Sequence, residues 1–357
     1  MSNINFQNGA NFAEGSAILN PIIQEIANQT ESQVGLVDQA AMYGVVMGNA
    51  LTPRGEITSM VGPEPLQEID EDGVVPLLSL LQGYTKSYAM KSYGLKHKCT
   101  KVFFEWIKKG AQMVGADSSV QAELNNFKEA IERLVQGSTL TMNEQIAKLF
   151  ANGFSITAAY GPGSPSPDGL ALFSASHLVK KTGGTFSNLR AAALSAVELE
   201  AAIQSYKTSV KTANGYRIKT PDVFDLLVPR ALETAARKIL NSSGDQSGIY
   251  AGTGSNSALL NVFSFQGSKV RLTVLDMLGE ISSDGVTKIG WANADAMWFL
   301  MNKEYALRYK AFRMFRLWDN EIKMWQDDET DSFFAKVTTH FGVDHYNPES
   351  VMGYAWA

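Results

Sequence analysis

From Val120 through Leu124, Phe127, Ile131 and Leu134, apolar residues recur at alternating four- and three-residue steps, one stripe along a helix. Ser118 and Gln121 stand in capping-box spacing at its start. The pattern runs on through Ile146 and Leu149, and Gly153 is the expected stop. At 1.5 Å per residue such a helix reaches about 50 Å, with Gly137 as the place where it would bend or break. A second capping box, Ser195 with Glu198, opens a helix whose apolar face carries Leu199, Ile203, Tyr206 and Val210; Asn214-Gly215 closes it with a turn. Asn20-Pro21 predicts a short helix with Ile22, Ile23 and Ile26 on one side.

Period-two patterns mark the strands. The cleanest is the last, where Phe333, Ala335, Val337, Thr339, Phe341 and Val343 alternate with more polar residues. The stretch from Tyr84 to Ile107 reads as extended strand, rich in aromatic and β-branched residues, with lysines at 86, 91, 96, 98 and 101. Asp222–Val228 predicts a buried strand, and Pro229 leads into a helix to about Leu240. Val270, Leu272 and Val274 predict a half-buried strand, and Ala296–Met301 another. Between these lie a polar N-terminal stretch, a Gly/Pro/Ser-rich break at 160–168 and a Gly/Ser-rich loop at 242–257. Helices and strands interleave without a βαβ rhythm and without an internal repeat, so the fold class is α+β.

Composition narrows the function. The chain has 357 residues, long enough for two average domains or one large one. Charged residues make up 19%, below the roughly 25% usual for soluble domains. Either uncharged polar groups cover the surface, or other chains do. The net charge of −5 does not support a basic nucleic-acid footprint. No apolar run is long enough to span a membrane, and the N-terminus lacks the basic start and apolar core of a signal peptide. A single cysteine, Cys99, rules out an internal disulfide framework.

Candidate chemistry is thin. Gly252-Thr253-Gly254 lacks the further residues that a phosphate cradle needs. His340 and His345, five apart on a strand, fall on opposite faces and do not suit a shared metal. His177 has serines nearby but no visible orienting partner, and reads as a turn histidine. Cys99 among Lys96, Lys98 and Lys101 reads as a half-buried strand residue rather than a reactive thiol. Arg308, Lys310, Arg313 and Arg316 interleave with Tyr309, Phe312, Phe315 and Trp318; this fits nucleic-acid stacking, but an edge strand or interface better suits the negative net charge. Glu64, Glu68, Asp70, Glu71 and Asp72 cluster before Asp72-Gly73, without the spacing of a calcium loop. They read as an exposed acidic excursion. No catalytic residue, cofactor or metal site is expected.

Several segments, in order, resemble the tailed-phage major capsid proteins of the Hong Kong 97 type. Residues 88–96 and 99–105, Tyr-Ala-Met-Lys-Ser-Tyr-Gly-Leu-Lys and Cys-Thr-Lys-Val-Phe-Phe-Glu, are similar to the strands that follow the E-loop in that family. Asp168 to His177, followed by Phe186-Ser-Asn-Leu189, resembles a phage signature of the form DGxxLFSxxH…NL. Asp222 through Leu240 resembles a strand, Val-Pro, helix segment of the family, and Phe341-Gly342-Val343 its closing strand.

The resemblance implies an N-terminal arm (1–60), an E-loop (61–100), a P-domain with a long spine helix (101–184), an A-domain (185–318) and a C-terminal return to the P-domain (319–357). It implies a major capsid protein, not an enzyme, that self-assembles as hexamers and pentamers into an icosahedral shell around double-stranded DNA. An encapsulin-like nanocompartment shell is the alternative. The implied partners are copies of itself, a portal, scaffolding or decoration proteins, and genomic DNA by loose contact, with no membrane. The implied location is the virion, and the host cytoplasm during assembly. The candidate inter-subunit residues are Glu68, Asp70, Glu71 and Asp72, docking on the basic strand of a neighbouring copy or on Lys108 and Lys109 at its end.

Overall fold

The computed structural model describes residues 40–60, 68–69, 82–100, 118–241, 270–282, 285–290, 293–327, 329 and 332–355. Its strands, in chain order, are β1 (Val45–Asn49), β2 (Arg54–Met60), β3 (Gln82–Ala89), β4 (Lys91–Cys99), β5 (His177–Leu178), β6 (Thr185–Phe186), β7 (Leu189–Arg190), β8 (Phe224–Pro229), β9 (Val270–Leu275), β10 (Trp298–Met301), β11 (Phe312–Gln326), β12 (Phe333–His345) and β13 (Val351–Tyr354). The helices are α1 (Ser118–Ala151), α2 (Ala196–Ser209), α3 (Arg230–Asn241) and α4 (Lys303–Arg308). This is the mixed α+β class expected from the pattern. The helix expected at Asn20, the strand end at 102–106, the loop at 242–257 and all the acids of the 64–72 excursion except Glu68 lie outside the described residues.

The chain divides into two compact units, each gathered from separate stretches. One holds 91–142 and 316–341 with 1–39; the other holds 40–90, 143–315 and 342–357.

In the first unit, β4, β12 and β11 lie side by side in that order. β12 runs antiparallel to β4, from Phe333 opposite Cys99 to Phe341 opposite Lys91. The alternation read from the sequence holds: Ala335, Val337, Thr339 and Phe341 are buried, while Phe334, Lys336, Thr338 and His340 are part-exposed. The first part of α1 belongs here, with Leu134 and Val135 buried. Ser138 Oγ donates to Asn320 Oδ1 at 2.7 Å, tying helix to sheet. Arg316 Nη2 lies 3.4 Å from the Met142 sulfur. Gly137 does not break α1, which runs unbroken over 34 residues.

In the second unit, a five-stranded sheet has the order β7-β13-β10-β8-β9. Every residue of β8 is buried, because both faces of this sheet are covered. One face packs Leu226, Val228, Leu300 and Met352 against Leu199, Ala202 and Tyr206 of α2 and Ala236, Ile239 and Leu240 of α3. On the other, Phe299 meets Phe150, Phe154 and Phe173 at ring-centroid distances of 5.6, 6.1 and 5.4 Å. β9 departs from the expected alternation: Thr273 and Leu275 are buried while Leu272 and Val274 are only half-buried. It is an edge strand of a sheet covered on both sides, so neither of its faces is wholly solvent or wholly core.

Four further expectations are met in part or refined. The Ser195 half of the expected capping box forms, its Oγ accepting from Glu198 N at 3.2 Å. The extended stretch from Tyr84 is two strands, not one. It breaks at buried Met90, whose N–H leaves the ladder to donate to Pro53 O at 3.0 Å. Gly153 follows the end of α1, but the reason is packing rather than a left-handed cap. It sits in a 3₁₀ turn, and a Cβ there would lie 2.8 Å from the Phe173 ring. The residues 308–316 are not one edge strand: α4 ends at Arg308, Lys310 takes a positive φ of 50°, and Phe312, Met314 and Arg316 are buried.

Candidate functional site

The structure places the expected contact residues unevenly. Glu68 is exposed, next to Ile69 at 43% exposure. Asp70, Glu71, Asp72, Lys108 and Lys109 lie outside the described residues. What the structure does bring together, in the second unit, is a set of buried polar groups and the cleft above them.

The first group sits where β3 meets the end of β12. Lys86 Nζ donates to Asp344 Oδ1 at 2.5 Å and to His345 O at 2.7 Å. Asp344 also accepts from Ser164 Oγ (2.9 Å), Gly161 N (3.3 Å) and His345 N (2.9 Å). Burial pushes the Asp344 carboxyl up and the Lys86 ammonium down, and their mutual attraction offsets only part of this. Ser166 Oγ lies 3.0 Å from His345 Nε2, so a serine, a histidine and an aspartate are adjacent. Yet His345 Nδ1 is 3.7 Å from Asp344 Oδ1 and has no hydrogen-bond partner among the described residues. A triad needs that second bond to orient its base. Burial holds His345 well below its ordinary pKa. The arrangement is a closed polar core that pins the root of the β2–β3 hairpin.

The second group explains the phage-like signature. His177 is not a turn histidine; it is fully buried on β5. Its Nδ1 lies 2.7 Å from Asp168 Oδ2 and its Nε2 3.1 Å from Leu172 O. The carboxylate and the carbonyl thus hold the ring by its two nitrogens. Burial alone would raise the Asp168 carboxyl, but His177 and the N–H groups of Leu170 and Leu178 hold it below its ordinary value. Asn188 Nδ2 donates to Leu172 O (2.8 Å), Pro348 O (2.9 Å) and Val351 O (3.2 Å), and its Oδ1 accepts from Ser174 N at 2.8 Å. The polar letters of the signature, Asp168, His177 and Asn188, thus all lock the loop at 168–174. They do structural work that spacing alone did not reveal.

A cleft of about 730 Å³ opens beside these groups, with Tyr84, Tyr305, Tyr309, Arg308, Arg313 and Glu349 in its walls. The Tyr305 and Tyr309 rings are 4.5 Å apart, and Arg313 stacks 4.9 Å over Tyr346. Glu349 Oε2 has no hydrogen-bond partner among the described residues, and burial pushes its carboxyl up to about 7. No sequence motif marked this residue, because its environment is made by chain segments far from it.

In the first unit, His340 Nδ1 lies 2.7 Å from Ser92 Oγ and its ring stacks on Trp318 at 4.8 Å. Among the described residues, no group of three or more His, Cys, Asp or Glu is placed to hold a metal ion. None of the described helices is long and apolar enough to cross a membrane.

A family model described as phage capsid protein matches residues 115–352, about two thirds of the chain. Similar solved structures include the capsid of Ralstonia phage GP4, at 11% identity over 88% of this chain and 87% of that one, with a TM-score of 0.48. A structure from Mycobacterium phage Patience matches at 11% identity over 93% and 88%, with a TM-score of 0.47. The capsid structure of Cyanophage P-SCSP1u matches at 9% identity over 88% and 86%, with a TM-score of 0.46. No curated protein matches the sequence.

Proposed function

This chain belongs to the phage capsid protein family, and from that premise we propose that it is the major capsid protein of a tailed bacteriophage, a self-assembling shell subunit. Many copies, as hexamers and pentamers, close an icosahedral head around double-stranded DNA. The family match over residues 115–352 carries this reading. The low charged fraction of 19% fits it, since subunit interfaces that persist are less charged than free surface. So do exposed apolar side chains such as Leu95 at 60%, Trp318 at 43% and Val286 at 85%.

On this reading, residues 1–60 act as an N-terminal arm and 61–100 as an E-loop. Residues 101–184 form a P-domain built on α1, 185–318 an A-domain, and 319–357 the return to the P-domain. A portal and scaffolding or decoration proteins are the further partners. Assembly takes place in the host cytoplasm. The acids Glu68, Asp70, Glu71 and Asp72 of one copy meet basic groups of a neighbour, on the strand at 86–101 or at Lys108 and Lys109. Charge there steers encounter and sets register more than it supplies affinity.

Sedimentation and electron microscopy of the purified protein test the reading. Closed, uniform shells are expected; a stable monomer or dimer at every concentration would overturn it. Native particles are expected to hold DNA, and a cargo enzyme in its place would mark a nanocompartment.

A further inference from the structure

The cleft of the second unit gathers basic side chains that have no acidic partner. Arg217 and Lys219 line it from the turn after α2, Arg308 from the end of α4 and Arg313 from the start of β11. None of the four forms an ion pair among the described residues. Elsewhere in the same unit arginines are matched: Arg230 lies 3.1 Å from Asp276, Arg237 2.7 Å from Glu233 and Arg271 2.6 Å from Asp225. Like charges gathered without counter-charge repel one another. In a chain of 31 basic and 36 acidic residues, four such groups around one cleft leave a place for an anion.

The acids in the same walls do not fill that place. Asp168 is engaged by His177 at 2.7 Å. Burial pushes the Glu349 carboxyl up to about 7, so it carries only part of a charge at neutral pH. Glu304 is exposed and lies 3.8 Å or less from none of the four basic groups, with no ion pair of its own among the described residues.

The walls are also aromatic. The Tyr305 and Tyr309 rings lie 4.5 Å apart, tilted by 40°. Tyr309 is 43% and Tyr216 47% exposed. The Arg308 guanidinium lies 5.8 Å from the Tyr309 centroid, so charge and ring face are adjacent. Exposed ring faces inside a concavity offer a stacking surface to a flat heterocycle. The Glu349 carboxyl adds an acceptor for the exocyclic amine of a base. The cleft volume of about 730 Å³ is that of a small-ligand site.

Two other anions fit less well. An acidic peptide meets the charges but brings no flat partner for the rings. A duplex keeps its bases stacked inside, and a chain with a net charge of −5 repels a long polyanion at a distance.

We propose that this cleft binds a nucleotide, its base laid against the tyrosines and its phosphate held among Arg217, Lys219, Arg308 and Arg313. The proposal stands on the cleft alone; a chain that formed no shells would still be expected to bind.

Calorimetric titration of the full chain with cytidine monophosphate tests it. Saturable binding of one nucleotide per chain is expected, about tenfold tighter than inorganic phosphate, the increment that one stacked base supplies. Arg217→Ala and Arg308→Ala together are expected to weaken binding about tenfold at low salt, with the difference shrinking as salt rises. Tyr309→Leu is expected to erase the advantage of nucleotide over phosphate and to leave phosphate binding in place. Circular dichroism and thermal midpoints verify that both variants fold. No saturable binding by the parent, parent-like affinity in both variants, or inorganic phosphate or a glutamate-rich peptide binding as tightly as the nucleotide would overturn the proposal.

A free nucleotide and a single strand present the same chemistry, and an oligocytidylate arm separates them. Equal affinity per nucleotide assigns the site to free nucleotide. Much tighter binding of the oligonucleotide assigns it to a strand, and both results uphold a nucleotide site. A duplex that binds more tightly than either would give the arginines to the phosphate backbone alone and overturn it.

Discussion

Lys86 Nζ lies 2.5 Å from Asp344 Oδ1, a buried ion pair between residues 258 positions apart in the chain. Replacing Lys86 with Met leaves a buried carboxylate without its counter-charge. Removing one partner of a buried pair costs about 3–5 kcal/mol. The loss is expected in a denaturant titration. Limited proteolysis is expected to cut first at the β2–β3 hairpin, whose root the lysine holds. Unchanged stability would mean that the Ser164, Gly161 and His345 donors suffice for Asp344.

Glu349 gives a pH dependence of its own. Its carboxyl is pushed up to about 7 by burial, above the unfolded value of about 4.3. Its contribution to stability is therefore fully present below about 4.3 and is lost as pH rises through 7. Glu349→Gln is expected to be more stable than the parent at pH 8, by roughly 4 kcal/mol at most. The advantage should vanish at pH 4. Equal stability of the two proteins at pH 8 would refute this.

Asp168 works in the opposite direction. Its carboxyl is held below its ordinary value by His177 and two N–H groups that outweigh burial. Stability from this group is present above the unfolded value of about 3.9 and is lost as pH falls through the folded one. Asp168→Asn is expected to cost roughly 1.5–3 kcal/mol at pH 7, the range for a charge-assisted bond. Parent and variant should converge near pH 2. A variant as stable as the parent at pH 7 would refute the role.

Two glycines of α1 and its end separate helix propensity from packing. At Gly137 a Cβ would meet only Leu95, at 4.0 Å, so Gly137→Ala is expected to stabilise by about 1 kcal/mol. At Gly153 a Cβ would lie 2.8 Å from the Phe173 ring, so Gly153→Ala is expected to destabilise by about 1–3 kcal/mol. Thermal midpoints that shift in the same direction for both would contradict the packing account.

Much of the fold was legible because its elements carry local patterns. The helical period of α1, the Ser195 N-cap of α2 and the alternation of β12 depend on neighbours within a few positions, and the helix, the cap and the alternation are all present. Errors arose where a distant partner decided. Met90 breaks the extended stretch because its N–H finds Pro53. β9 loses its alternation because both faces of its sheet are covered. His177 leaves the surface because Asp168 and Leu172 close around it. The site was less legible than the fold. Asp168, His177 and Asn188 stood out as a family-like signature, but nothing in it marked them as hydrogen-bonding groups of one loop.

The sequence by itself determined the α+β class, the span of the long helix, the strand that closes the chain, and the uneven distribution of charge along it. These are properties of composition and short-range periodicity, where each residue reports on its own environment. Only the tertiary structure decided that Lys86 meets Asp344, that the Glu349 Oε2 atom is buried without a partner among the described residues, and that Lys96 faces Lys336. Each is a pairing between distant segments, and its energy comes from burial and proximity that no local pattern encodes.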